Sequence, residues 1–353
     1  MNRLNTNALG ALVATALMWA AVAPESPVAD AAMQGDVEEV RSLLRSGSDV
    51  NAAQGDGMTA LHWAAEMKNA ELAEILLNAG ANPAAMTRLG DYTALHLAAK
   101  AGAHGVAAVL LDGGADVASR TSTGGVFPLH FAAGAGGAEV VRVLVEHGAD
   151  VDARERVWQQ TPLMFAAAAG RADVIEVLLA AGADPSLTAR VLDMDSREQA
   201  DRADRSRREE IQSQIQAARE GRAVSARPGR APAASRAQRP SAAPPTQQAQ
   251  GPSREEINNQ QRDRVPSSRF SHAQLVGGYG GLTALHLAVR DGHTNAALAL
   301  LEGGADIDEV TGGDHTTPLL MATINGHFDL ALELFERGAD PNIASDANAT
   351  PLY

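Results

Sequence analysis

The sequence predicts an all-α chain built from one helix-turn-helix unit used about seven times, with the start of an eighth. Three observations carry that prediction. A threonine recurs at 59, 93, 161, 283, 317 and 350, with Ser26 and Phe127 in its place at 26 and 127, so the steps are 33, 34, 34, 34, 122, 34 and 33 residues. The run TALH stands at 59, 93 and 283, and TPL at 161, 317 and 350. Gly-Ala-Asp or Gly-Ala-Asn closes nearly every unit, and self-similarity at a fixed period of this length marks stacked repeats.

The unit Thr283–Asp306 shows why each part folds as it does. Thr283 is a good N-cap, because its hydroxyl accepts from an amide two or three residues on, and proline follows the same position at Pro162, Pro318 and Pro351. Leu285, Ala288 and Val289 give the first helix an apolar face, and Gly292 falls where a residue of positive φ ends it. A second helix, Thr294 to Glu302, buries Ala297, Leu298, Leu300 and Leu301 and ends at Gly304. A polar finger then leads to the next unit.

These motifs resemble the ankyrin repeat, over roughly residues 26 to 188 and 281 to 353. The resemblance implies an α-solenoid whose fingers and inner helices form a concave binding face, and it implies no reaction. With 3% aromatic residues the core is Leu, Ala and Val, and no unit buries its apolar face without a neighbour.

The absence of cysteine excludes disulfides, thiolate catalysis and cysteine-bound metal. Net charge is −14, yet residues 189 to 281 hold 16 Arg against 11 Asp plus Glu, so that segment is +5 and the remainder −19. An acidic array repels a phosphate backbone, which argues against nucleic acid as the partner.

Four segments are expected. Residues 1–23 read as a signal peptide: Arg3, an apolar run from Ala8 to Ala23, and Ala21-Val22-Ala23 at its end, with Pro24 directly after; the run is short for a membrane span. The alternative is an apolar helix packed on the first repeat in a cytoplasmic protein. Residues 24–188 hold repeats 1–5, the first a cap in which Ala29 and Asp30 replace the histidine and the apolar residue of later units. Residues 189–281 are an insertion that extends one finger. Its Arg190–Arg222 part reads as a solvated helix, with Glu198 and Arg202, Asp201 and Arg205, and Asp204 and Arg208 at i,i+4, and Ala223–Pro252 as a disordered segment rich in Arg, Pro, Ala and Gln. Residues 282–353 hold repeats 6–7 and the start of the eighth, which predicts that a longer sequence continues past Tyr353. The signal peptide, the Arg/Gln/Pro-rich insertion and the following GGLTALH together resemble exported bacterial ankyrin-repeat proteins.

His62, His96, His130 and His286 recur one per unit instead of clustering, and the resemblance places each in hydrogen bonds that tie its finger and helix to the next unit; no metal, cofactor or catalytic residue is assigned. Gly277, Gly278, Gly280 and Gly281 lack the lysine and the preceding strand of a phosphate loop. Partner binding is expected at the finger tips, through Met58, Tyr92, Val126, Phe127 and Trp158, and on the inner helices, through Glu66, Met67 and Lys100. Trp158 is either an exposed anchor or a ring packed under the insertion. Phe127, which cannot cap a helix, marks a weak unit, a contact, or a ring filling a gap; on the first reading Phe127→Thr raises stability.

The function expected is a non-catalytic, monomeric scaffold, exported to the periplasm or secreted, that binds a protein. The alternative is an ankyrin-bearing enzyme or effector whose catalytic part lies beyond Tyr353 or in the insertion.

Overall fold

The computed structural model describes residues 26–225 and 278–351. The apolar leader Met1–Ala23, most of the Arg/Pro/Ala/Gln-rich segment and the last two residues lie outside the described residues. Contacts divide the chain into two compact units, Met1–Val191 with Gly280–Tyr353, and Leu192–Tyr279.

The first unit is a double row of short helices. The inner row is α1 (Pro27–Met33), α3 (Ala60–Glu66), α5 (Ala94–Ala101), α7 (Pro128–Ala135), α9 (Pro162–Ala168), α12 (Ala284–Arg290) and α14 (Pro318–Ile324). The outer row is α2 (Val37–Arg45), α4 (Ala70–Asn78), α6 (His104–Asp112), α8 (Ala138–Glu146), α10 (Ala172–Ala180), α13 (Thr294–Glu302) and α15 (Phe328–Glu336). Each inner helix packs on the next, including α9 on α12, and α10 packs on α13. The stack therefore runs straight across the insertion.

The core follows from the repeat pattern. Leu61, Leu95, Leu129, Leu163, Leu285 and Leu319, two residues after each cap position, are all buried to 3% exposure or less. Ala64, Ala98, Ala132, Ala166, Ala288 and Ala322 are fully buried, because only a methyl group fits where neighbouring inner helices meet. Thr161, Thr283 and Thr317 cap their helices by accepting from the amides of Met164, His286 and Leu320. The closing Asp or Asn is equally functional in the chain's geometry: Asn82, Asp116, Asp150, Asp184, Asp306 and Asp340 each accept from the amide two residues on, which fixes the turn into the finger.

The finger that carries the insertion closes as a narrow hairpin. Ala189 N–H donates to the Leu282 carbonyl at 2.9 Å and Gly281 N–H to the Arg190 carbonyl at 3.2 Å, and the pairing continues into strands β1 (Val191–Asp193) and β2 (Gly278–Gly280). The glycine run is explained here. Gly281 adopts φ +67°, and a Cβ on it would lie 2.6 Å from the Gly312 backbone, so only glycine lets the two fingers touch.

The second unit contains α11 (Met194–Ser225), a single helix of 32 residues, as the charge spacing predicts. Its arginines differ from expectation in their partners: Arg205 and Arg208 donate to the backbone carbonyls of Asp201 and Asp204, not to carboxylates. The Glu198 side chain lies outside the described residues.

Candidate partner-binding surface

Each finger is positioned by bonds that recur every repeat. One backbone hydrogen bond links successive tips, from Arg88 to Asp56, Ser122 to Gly90, Arg156 to Gly124, Arg190 to Trp158, Gly312 to Gly281 and Asp346 to Asp314, at 2.7 to 3.1 Å. Within a finger, the hydroxyls of Thr87, Thr121 and Thr311 accept from the amides of Tyr92, Val126 and Thr316. In the finger that bears Trp158 the equivalent residue is Glu155, buried at 3% exposure, whose carboxylate accepts from the amides of Val157, Trp158 and Gln160. Three charge-assisted bonds hold that tip more firmly than one hydroxyl does. The turn forces Gln159 into a left-handed conformation at φ +57°.

The repeated histidines fasten finger to finger. Nε2 of His62, His96, His130 and His286 reaches the carbonyls of Tyr92, Val126, Gln160 and Thr316, each thirty residues on, at 3.0 to 3.3 Å. A carbonyl only accepts, so Nε2 carries the proton; Nδ1 of His62, His96 and His286 then accepts from the cap threonine's amide and hydroxyl. With both nitrogens engaged, the rings of His62, His96 and His286 have no lone pair left for a metal or a substrate proton. Burial pushes their pKa values down, to about 4 for His96, His130 and His286. Among the described residues no group of three or more His, Asp or Glu is arranged to hold a metal ion. A second set of links runs from the turn before an outer helix to the end of the preceding inner helix: His293 Nε2 meets the Ala168 carbonyl at 3.2 Å across 125 residues, as His327 meets that of Arg290 across 37.

The eight residues expected at the partner surface fall into three groups. Glu66, Met67 and Lys100 are exposed at the ends of α3 and α5, and Trp158 stands exposed at its finger tip, with Met67 at 48% and Trp158 at 45% exposure. Met58, Tyr92 and Val126 are half-buried. Tyr92 packs 5.7 Å from the Phe131 ring, and its carbonyl and that of Val126 serve the histidine links. Phe127 is a correction to the exposed set: at 8% exposure its ring belongs to the core, stacked on His130, with the Arg120 guanidinium 4.3 Å above it. Leu89, 82% exposed, and Val157 lie within the finger tips that the repeat pattern marks out, and Val191, which sequence reasoning missed, is exposed one period after Val157 on the next finger. The 34-residue period indexes these positions, with Leu89 and Val157 four residues before their caps and Val191 34 residues after Val157.

A surface hollow of about 440 Å³ between α8 and α10 is lined by Arg142, Glu146, Asp173, Glu176 and Val177. Similar hollows lie between α4 and α6 and beside α13, so they are the periodic gaps of stacked outer helices.

The family model described as ankyrin repeats (3 copies) matches residues 28–121, 118–189 and 267–345. The chain belongs to the ankyrin-repeat family. Ankyrin repeats are in general protein-interaction modules. The chain is 38% identical over 63 residues to ankyrin repeat domain-containing protein 40 of Homo sapiens and of Mus musculus, covering 18% of this chain and 17% of theirs. It is 43% identical over 54 residues to the ankyrin repeat and LEM domain-containing protein 1 homolog of Caenorhabditis elegans, covering 15% of this chain and 8% of that one. The ankyrin chain thus spans less than a fifth of the length of these curated relatives. Among its described residues no helix is long and apolar enough to cross a membrane.

Proposed function

We propose that this ankyrin chain is a non-catalytic, monomeric scaffold that binds a protein partner through its finger tips and inner-helix ends, and that it works after export, in the periplasm or outside the cell. One observation carries the binding reading. The Nε2 atoms of the repeated histidines and the capping threonines are engaged in holding the stack, whereas Met67, Leu89, Val157 and Trp158 stand exposed on the surfaces the stack leaves open. Large apolar side chains placed in water without a packing role are the usual anchors of an interface. The export reading is supported by the apolar Ala8–Ala23 run and its Ala-Val-Ala end.

A photo-crosslinking residue at position 89 in the full chain, with and without Trp158→Ala, tests the binding part. A defined crosslinked protein that disappears with Trp158→Ala is expected; labelling that ignores the change sinks the finger reading. N-terminal sequencing of the fractionated protein tests export, with cleavage after Ala23 expected and an intact Met1 in the cytoplasmic fraction contradicting it.

A further inference from the structure

Charge is distributed unevenly along the fingers. The ion-paired arginines with a described carboxylate partner, Arg41, Arg142, Arg290 and Arg337, all sit on or at the end of helices. Arg156 on the fourth finger is exposed and pairs with no carboxylate among the described residues, and Arg190 on the next finger is exposed and donates from Nη1 to the Val157 carbonyl at 3.2 Å. Glu155, next to Arg156 in sequence, is buried beneath the tip and occupied by three backbone amides.

Between the two arginines lies an apolar surface. Val157, Trp158 and Val191 are 48%, 45% and 44% exposed, and the Arg190 amide donates to the Trp158 carbonyl at 2.7 Å, so the two fingers present one continuous patch. The two fingers that follow are acidic at their tips, with Asp314 and Asp346, whereas the finger before the patch, with Arg120 and the tip Ser122–Val126, carries no carboxylate there. Resting on the finger-binding reading above, we infer that the patch formed by Arg156, Val157, Trp158, Arg190 and Val191 takes an acidic protein segment that carries an aliphatic or aromatic anchor residue.

The chemistry selects that partner by elimination. A basic segment meets two guanidinium groups at the patch and a body of net negative charge around it, and like charges across an interface cost affinity. An uncharged apolar segment desolvates both positive charges without supplying a counter-charge to either. An acidic segment pairs with them while its anchor covers the indole, and the tip, held by Glu155, needs no ordering on binding.

The test is selection from a random-peptide display library on the full chain, followed by fluorescence anisotropy of the enriched peptides. Peptides combining Asp or Glu with Leu, Phe or Trp are expected, weakening with added salt and losing about tenfold or more in affinity with Arg156→Glu and, separately, with Trp158→Ala. Both side chains are exposed, and matching circular-dichroism melts establish that the variants are folded. Enriched peptides without acidic residues that still depend on Trp158 overturn the partner chemistry and leave the finger reading standing. Peptides indifferent to every finger change overturn both. Heparin bound more tightly than any selected peptide, and lost with Arg156→Glu, assigns the patch to a polyanion and overturns the proposal.

Discussion

Phe127 stacks on His130 with ring centroids 5.6 Å apart and planes 15° from parallel, and this contact replaces the threonine-histidine hydrogen bond of the other repeats. Its consequence is visible on the imidazole. Nδ1 of His130 is buried without a hydrogen-bond partner, whereas Nδ1 of His62, His96 and His286 lies 2.8 Å from a threonine hydroxyl. The fourth repeat has exchanged a polar contact for an aromatic one.

Burial therefore reverses the sign that sequence alone suggests for Phe127→Thr. Threonine would cap α7 and give Nδ1 a partner, gains of about 0.5–2 and 1–3 kcal/mol. It would also empty a ring-sized space in a buried site, a loss comparable to the roughly 3–5 kcal/mol of a Phe→Ala change. A net loss of about 1 kcal/mol is expected in urea denaturation, and a gain would show that the unpaired imidazole costs more than the ring contributes.

Stability should fall as the pH drops from about 6.5 toward 4. His96, His130 and His286 are held neutral in the fold with pKa values near 4, and an unfolded histidine protonates near its ordinary value of 6.5. Across that window the unfolded state binds more protons, so the stabilisation is complete above the unfolded pKa and lost as pH falls through the folded one. Each site contributes on the order of 3 kcal/mol by that difference. Thermal melts at pH about 7.5, 6 and 5 check it, and a melting temperature flat over that range would contradict the buried neutral state.

Gly281→Ala should destabilise the stack by about 2–4 kcal/mol, since it places a Cβ against the Gly312 backbone at a positive φ. The denaturation midpoint reads the effect. A change below about 0.5 kcal/mol would mean that the two fingers separate at no cost.

Replacing Leu192–Tyr279 by Asn-Gly should leave the repeats folded and somewhat more stable. The hairpin bonds at Ala189–Leu282 and Arg190–Gly281 already bring the cut ends together. Shortening the loop by about five halvings removes up to roughly 3 kcal/mol of closure entropy. A single, higher melting transition is expected; two separate transitions would show that repeats five and six do not share one stack.

Much of the fold was legible because its determinants are local and periodic. Thr283, Gly292 and Gly304 announce the ends of α12 and α13 within a few residues of where they act, and the 34-residue step repeats that information. The partner surface was less legible. Trp158 and Phe127 lie at finger positions one residue-class apart in the same pattern, yet one ring is 45% exposed and the other 8%. Sequence left both open between a contact and a packed ring, since nothing near either residue says what covers it.

The sequence by itself determined the unit, its number, its helix boundaries and the place of the insertion, because caps, glycines and apolar spacing act within one repeat. The tertiary structure alone decided which side chains remain for a partner. Arg190 reaches Trp158 and Val157, and Glu155 closes the tip beneath them, through contacts set by how one finger lies against the next. The Arg190 contacts join residues about a full repeat apart, where no local rule specifies the outcome.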